Sequence, residues 1–464
     1  MKFLFIFPSH KGYQIADKKH FPVNPYSPPL GILYLAAVLE NEGHTVEVID
    51  YTAEHQDHTA LAHKLSLADA VGITICTGSL SNAKNLAEFI KQTDPELPLI
   101  VGGPHCSLMP RQTLQNLSAD ICVQGEAEPI ISQIASALEG KQNLSNIPGI
   151  YYKEHDTIHY TTPLKPLDTL DELLFPARHL VEKYDYGYML EEKMTKGKTT
   201  SIITSRGCPY QCTFCGYTSV RPGFHLRSAE NVLCELEEIK RQGYESVIFV
   251  DNNFLVNKKR DEQILDGIIQ KKYDFTIWIE GSRVDLAHKR LYEKMKKAGV
   301  TCISLGLESG NQDILNFYKK HTTLAQIHHA VQLSKDMGFT TSGSFVLGAP
   351  IETKKQINQT IKLAQSLPLD VAHFVALGYL CGSPLWKEAV ASGKIQPDEF
   401  AVPADIRRGL GNFTEEELKN YCIKAHRSVH FNPRFILRQL CDAIRKKDFH
   451  FIKAGFRMLT IKEE

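Results

Sequence analysis

Short apolar runs alternate with amphipathic stretches along most of this chain, and the alternation happens twice. In the first 140 residues, β-type runs are predicted at 2–7, 45–50, 70–75, 98–102 and 120–124. Between them, apolar positions recur at helical spacing near 30–42, 56–67, 80–92, 110–117 and 127–138. Two short strands follow at 150–153 and 157–161. A second alternation starts at residue 199. Its strands are predicted at 200–204, 246–250, 275–280, 301–306, 341–347 and 371–377. Its helices are predicted at 228–242, 260–270, 286–298, 322–337, 353–366 and 384–392.

The pattern implies an α/β protein. Five β runs separated by helices predict a doubly wound, Rossmann-like parallel sheet over 1–140, with its ligand past the carboxyl ends of the strands. Residues 141–198 hold Pro148, Pro163, Pro166 and Pro176 and read as a linker with some structure of its own. Six βα units over 199–400 predict a partial (β/α)6 barrel, with chemistry at the C-terminal rim of its strands. Residues 401–464 read as a helical tail, in which Thr414 and Glu417 form a capping box.

Composition narrows the partners. Lys+Arg and Asp+Glu both number 53, which argues against a nucleic-acid binder. The apolar N-terminal run ends at Pro8 and is too short for a signal peptide, and no stretch has the length of a membrane helix. A cytoplasmic location is expected. The eleven cysteines are then core residues, metal ligands or reactive thiols.

Three of them stand together. Cys208, Cys212 and Cys215, in Ser205-Arg206-Gly207-Cys208-Pro209-Tyr210-Gln211-Cys212-Thr213-Phe214-Cys215, can wrap one corner of a [4Fe–4S] cubane. Three thiolates for four irons leave one iron open to a further ligand. A zinc knuckle would want a fourth ligand close by, and the nearest histidine is His225. The motif resembles the radical S-adenosylmethionine (SAM) superfamily over about 200–395. The resemblance implies SAM contacts at Phe214, at Asp251, Asn252 and Asn253 after the second strand, and at Arg283 after the third. It implies others at Glu308 and Ser309 after the fourth strand, and at Val346 and Gly348 around the end of the fifth. The cluster would supply an electron that cleaves SAM to a 5′-deoxyadenosyl radical.

Residues 1–140 resemble the cobalamin-binding domain of one radical SAM class. The similarity lies in Ser27-Pro28-Pro29-Leu30-Gly31, Gly43-His44-Thr45-Val46, Val101-Gly102-Gly103-Pro104-His105 and Val123-Gln124-Gly125-Glu126-Ala127-Glu128-Pro129. It implies a corrin cradle at Pro29, Leu30, Thr77, Ser79, Gly102, Gly103, His105, Gly125, Glu126 and Glu128. The Asp-x-His-x-x-Gly string of cobalamin mutases is absent, so bound cobalamin would lack that axial histidine, and His105 is a conceivable substitute. Cys76, Cys106 and Cys122 raise the alternative of a second, N-terminal cluster.

The stretch 434–457 mixes Phe435, Ile436, Leu440, Ile444, Phe449, Ile452 and Phe456 with Arg and Lys. A membrane-surface helix is one reading; a cover helix on the barrel with a solvated basic face is the favoured one. The resemblance implies a [4Fe–4S] cluster, SAM and cobalamin as cofactors, and methylation of an unactivated carbon as the reaction. Cobalamin-dependent cyclisation or rearrangement, methylthiolation, and a non-catalytic cobalamin-binding protein are the alternatives. Expected partners are a small-molecule, lipid or peptide substrate and an electron donor such as flavodoxin or ferredoxin. His373, Tyr379 and Trp386 are candidates for the substrate pocket. Iron analysis of anaerobically reconstituted protein is expected to give about four irons per chain, against about eight for two clusters.

Overall fold

The structure is a computed structural model that describes residues 1–9, 25–155, 157–189, 192–446 and 450. It divides into two compact units at Glu191 and Glu192.

In the first unit, β1 (Lys2–Phe7), β2 (Thr45–Asp50), β3 (Ala70–Thr74), β4 (Leu99–Gly102) and β5 (Ile121–Val123) are parallel. β6 (Ile150–Glu154) and β7 (Thr157–Tyr160) add antiparallel strands to the β5 side, and the order is β2-β1-β3-β4-β5-β6-β7. Buried Phe3, Leu4, Phe5 and Ile6 run through β1 without a polar break, as a strand covered on both faces requires. Strand order reverses between β1 and β3, so the ligand crevice of such a sheet lies past Phe7 and Thr74.

The stretch expected as a linker is largely part of this unit. β6 and β7 complete the sheet, Arg178 is fully buried, Ala177 N–H donates to Leu33 O (3.0 Å) and Tyr186 Oη donates to Asp50 Oδ2 (2.9 Å). Proline breaks regular structure there without freeing the chain from the core.

The second unit carries a parallel sheet of β8 (Thr199–Ile202), β11 (Ser246–Phe249), β12 (Thr276–Ser282), β13 (Val300–Glu308), β14 (Thr340–Leu347) and β15 (Val371–Ala376), adjacent in that order. A hairpin of β9 (Ser205–Gly207) and β10 (Phe224–Leu226) interrupts it. β16 (Gly378–Leu380) pairs with β17 (Ala401–Pro403), so the tail expected to be helical from 401 opens with a strand. Helices Glu415–His430 and Pro433–Lys446 follow.

The period of two along the last three strands separates two faces. One face, Ile303, Leu305, Leu307, Phe345, Leu347, Ala372 and Phe374, is buried in the main core. The other carries Ser304, Gly306 and Glu308, then Ser342, Ser344 and Val346, then Val371, His373 and Val375. Register sets Gly306, Ser344 and His373 side by side. The free edge of β15 is covered by helix Glu415–His430, whose His426 Nε2 lies 3.3 Å from both the N and the O of Phe374. An edge strand is shielded there by a side chain.

Gly103 sits at φ +102°, and a Cβ there would lie 2.7 Å from Thr74 Oγ1 and 2.9 Å from the Ile75 backbone. Gly102 has room, with Val123 Cβ at 3.8 Å. Gly103→Ala is expected to destabilise the chain by about 3 kcal/mol, and Gly102→Ala by less than about 1 kcal/mol, in urea unfolding.

Candidate functional site

The cysteine loop leaves β9 and ends in the short helix Tyr217–Val220. Gly207, at φ +89°, lets the hairpin close: a Cβ there would meet Gly223 O at 2.1 Å. The loop has little internal structure beyond Cys215 N–H donating to Cys212 O (3.1 Å), so its neighbours hold it. Thr213 donates from N to Tyr318 O (3.1 Å) and from Oγ1 to Phe317 O (3.2 Å), and its own carbonyl accepts from Leu385 N (3.0 Å). Phe214 meets the Tyr318 ring edge-on at 4.9 Å. The Arg283 guanidinium lies 3.7 Å from the centroid of Tyr210.

The three thiols are half-buried. Burial pushes Cys212 and Cys215 up; Cys215 also raises Cys212, Cys208 raises Cys215, and Lys320 pulls both down. The sulfurs therefore sense one another and a shared cation, Lys320, with Arg283 also lowering Cys212. Among the described residues, no three His, Cys, Asp or Glu side chains are grouped for a single metal ion.

The remaining candidates divide by what their polar groups already do. Asp251 is fully buried, and its carboxylate accepts from Thr204 N (3.1 Å), Thr204 Oγ1 (2.9 Å) and Ser205 Oγ (2.5 Å). It braces the entry to the cysteine loop. Asn252 is exposed and bonds Tyr217. Asn253 is 2% exposed, and neither its Oδ1 nor its Nδ2 has a partner. Arg283 meets a carboxylate of the protein's own, with Nε 2.9 Å from Asp285 Oδ1 and Nη2 3.2 Å from Oδ2, and Nη2 also donates to Lys320 O. Glu308, at φ +60°, forms a buried ion pair with Lys320 at 2.7 Å. Ser309 turns to Thr360 Oγ1 (3.2 Å) in helix Lys354–Ser366.

At the end of β14, Tyr318 Oη donates to Val346 O (3.4 Å), so Phe214 and Val346 share one aromatic neighbour. Gly348 N and Ala349 N donate to Glu352 Oε2 at 2.6 and 3.2 Å. Glu352 Oε1 is buried without a partner, and burial pushes the carboxyl up to about 7. The structure thus gathers Phe214, Arg283, Glu308 and Val346 through Tyr318 and Lys320, two residues the sequence reading missed. It turns Asp251 and Ser309 to bracing contacts.

The polar inner face of the sheet was missed as well. Its signal was Ser304-x-Gly306-x-Glu308 and Ser342-x-Ser344, small or polar residues at every second position. His373 stands on that face, half-buried; burial, with His426 and His430 nearby, lowers it to about 4, so its imidazole is neutral. Tyr379 is buried and donates to Leu410 O (2.9 Å), and Trp386 Nε1 donates to Glu399 O (2.7 Å); both are structural.

In the first unit, the carboxyl ends of β3 and β4 bring Thr77 and His105 together, Oγ1 to Nδ1 at 3.3 Å. His105 is 3% exposed and burial lowers it to about 4, so its imidazole is neutral and packed. Ser79 closes its own turn, accepting from Cys76 N at 3.2 Å. Pro29 and Leu30 are buried at the start of helix Leu30–Asn41. Gly125 is exposed at φ +99°, with Glu126 and Glu128 half-exposed beside it. Cys106 and Cys122 are free thiols, fully buried and hydrogen-bonded to each other, and burial drives Cys106 far up, which makes them core thiols.

A sequence model of the radical SAM superfamily matches residues 202–364, and one of the B12 binding domain matches 22–135. An uncharacterized methyltransferase of Pyrococcus horikoshii is 30% identical over 90% of this chain and 91% of its own length. The chain belongs to the cobalamin-binding radical SAM family. The anaerobic magnesium-protoporphyrin IX monomethyl ester cyclase of Rubrivivax gelatinosus is 27% identical over 81% of this chain and 67% of its own. The fold is shared with the radical SAM methyltransferase TsrM of Kitasatospora setae, solved with cobalamin and a [4Fe–4S] cluster bound. That likeness has a TM-score of 0.67 and 19% identity, over 84% of this chain and 75% of the other. The protein is therefore an enzyme, and its family implies a [4Fe–4S] cluster, SAM and cobalamin. Among the described residues of this radical SAM enzyme, no helix is long and apolar enough to cross a membrane.

Glu352 supplies a test of the site's electrostatics. Its carboxyl, raised from 4.5 to about 7, holds its proton more tightly in the folded chain than in the unfolded one. Stability from this group is therefore present below about pH 4.5 and is lost as pH rises through 7. Glu352→Gln is expected to flatten that loss, measured as thermal midpoints of the apo chain from pH 5 to pH 8.

Proposed function

We propose that this enzyme methylates an unactivated carbon of its substrate, using a radical derived from SAM and cobalamin as methyl carrier. The observation that supports this most is the placement of the cysteine loop. It is braced by Asp251, Arg283 and Tyr318, beside strand ends from which the polar face of β13, β14 and β15 runs. When bound, the cluster would supply one electron to SAM and cobalamin would supply the methyl group. Cys208, Cys212 and Cys215 hold the cluster in this reading. Lys320, near two of the thiols, partly offsets the negative charge of such a group.

Phe214, Val346 and the Gly348 turn, set by Tyr318 and Glu352, form the apolar side of the SAM site. Asn252, Asn253, Arg283, and Glu308 with Lys320, form its polar side; Asn253 has both amide atoms free for it. Asp251 and Ser309 act one step back, by fixing these loops. Ser304, Ser342, Ser344 and His373 face the substrate and exclude bulk water from the reacting carbon. Cobalamin belongs to the strand-end loops of the first unit, around Thr77, Gly103 and Gly125, with Pro29, Leu30, Ser79, Gly102, His105, Glu126 and Glu128 shaping the cradle. Cyclisation without methyl transfer is the second reading, favoured by the similarity to the cyclase.

The test is anaerobic turnover of the reconstituted holoenzyme, with detection of 5′-deoxyadenosine and of product mass. A product heavier by one CH2 group is expected, and Cys212→Ala is expected to abolish both signals. A product of unchanged carbon count favours the second reading, and iron-loaded, reduced protein that leaves SAM intact overturns both.

A further inference from the structure

Helix Pro433–Lys446 has one attached side. Phe435 packs on the main core, Arg438 donates to Leu367 O and Leu369 O, and Gln439 Nε2 donates to Asp370 Oδ1 (3.2 Å). Asp442 pairs with Lys335 and with Arg445, and Ala443 is buried. The side expected to be a solvated basic face is instead apolar. Ile436 is 44% exposed, Leu437 63%, Leu440 42% and Ile444 67%, with Phe431 at 49% just before the helix. Positions 436, 440 and 444 repeat every fourth residue and so form one stripe.

The stripe is flanked by exposed Arg434 and Arg445; Asp442, the helix's one carboxylate, is shared between Arg445 and Lys335, which leaves the border net positive. An apolar stripe bordered by cations matches an anionic lipid surface, which takes up both parts at once. A second copy of the chain fits less well. It would bring arginines against arginines, and one face of a 14-residue helix falls short of the roughly 800 Å² per partner of a stable interface.

We infer that helix Pro433–Lys446 docks on an anionic membrane surface, with Ile436, Leu437, Leu440 and Ile444 among the acyl chains and Arg434 and Arg445 at the headgroups. This rests on the helix alone and is independent of the reaction.

The test is co-sedimentation of the holoenzyme with vesicles of equimolar phosphatidylcholine and phosphatidylglycerol, or of phosphatidylcholine alone. Binding is expected to the anionic vesicles only, and to weaken as salt rises. Leu437→Glu with Ile444→Glu, and separately Arg434→Glu, should each weaken it on the order of tenfold. Cluster and cobalamin absorbance and the melting temperature should stay unchanged. The inference is overturned if the unaltered enzyme stays in the supernatant or if the Leu437/Ile444 variant still binds. It is equally overturned if that variant converts a dimer to a monomer in light scattering, or melts at a lower temperature, since the stripe would then be covered by protein.

Discussion

The three thiols of the cysteine loop are only half-buried, so no core holds them, and the loop has too few internal hydrogen bonds to hold its own shape. Its geometry is therefore imposed from outside. Thr213 is fastened to Tyr318 and Leu385, Tyr210 is stacked under Arg283, and Asp251 grips the residues that lead in. The groups that brace the loop are also the groups that shape the strand ends around it: Tyr318 reaches Val346, and Arg283 reaches the residue whose ammonium neutralises Glu308. Removing one brace leaves a buried charge or dipole without its partner, which is costly in a water-poor site.

The sheet beneath accommodates this by having two unlike faces. A parallel sheet is ordinarily apolar on both sides. Here β13, β14 and β15 keep Ile, Leu and Phe for the helices, and the other side mixes Ser304, Gly306, Glu308, Ser342, Ser344 and His373 with valines. The apolar face carries most of the packing.

Much of this was legible in the sequence, since it rests on local rules. The strand–helix alternation located all the parallel strands of both sheets, because buried parallel strands are short apolar runs bounded by turns. The cysteine spacing located the loop. What was not legible were commitments between distant residues. Nothing near Arg283 in sequence marks its attachment to Tyr210 and Lys320, and nothing near Asp251 marks its attachment to Ser205. Tyr318 and Lys320 sit in an unremarkable stretch, and only the folded chain sets them beside the loop. The polar face could have been read from Ser304-x-Gly306-x-Glu308, but small residues in a strand carry a weak signal. The linker was misjudged because prolines mark a break in regular structure and not a break in packing. The tail's apolar side was misjudged because amphipathic periodicity shows that a helix has two faces and not which of them the core takes.

The partial barrel ends on a strand whose outer margin is met by His426. One imidazole nitrogen lies within reach of both an amide and a carbonyl of Phe374, and in a given tautomer it serves only one of them. Among the described residues, the backbone of that flank is met by a single ring, where a closed barrel would present a full ladder, and the covering helix is tied besides by Gln365 Nε2 donating to Ser428 O (3.1 Å). The hydrogen bond at the ring is worth about 1 kcal/mol, so this margin of the sheet is kept closed by packing more than by polar contacts.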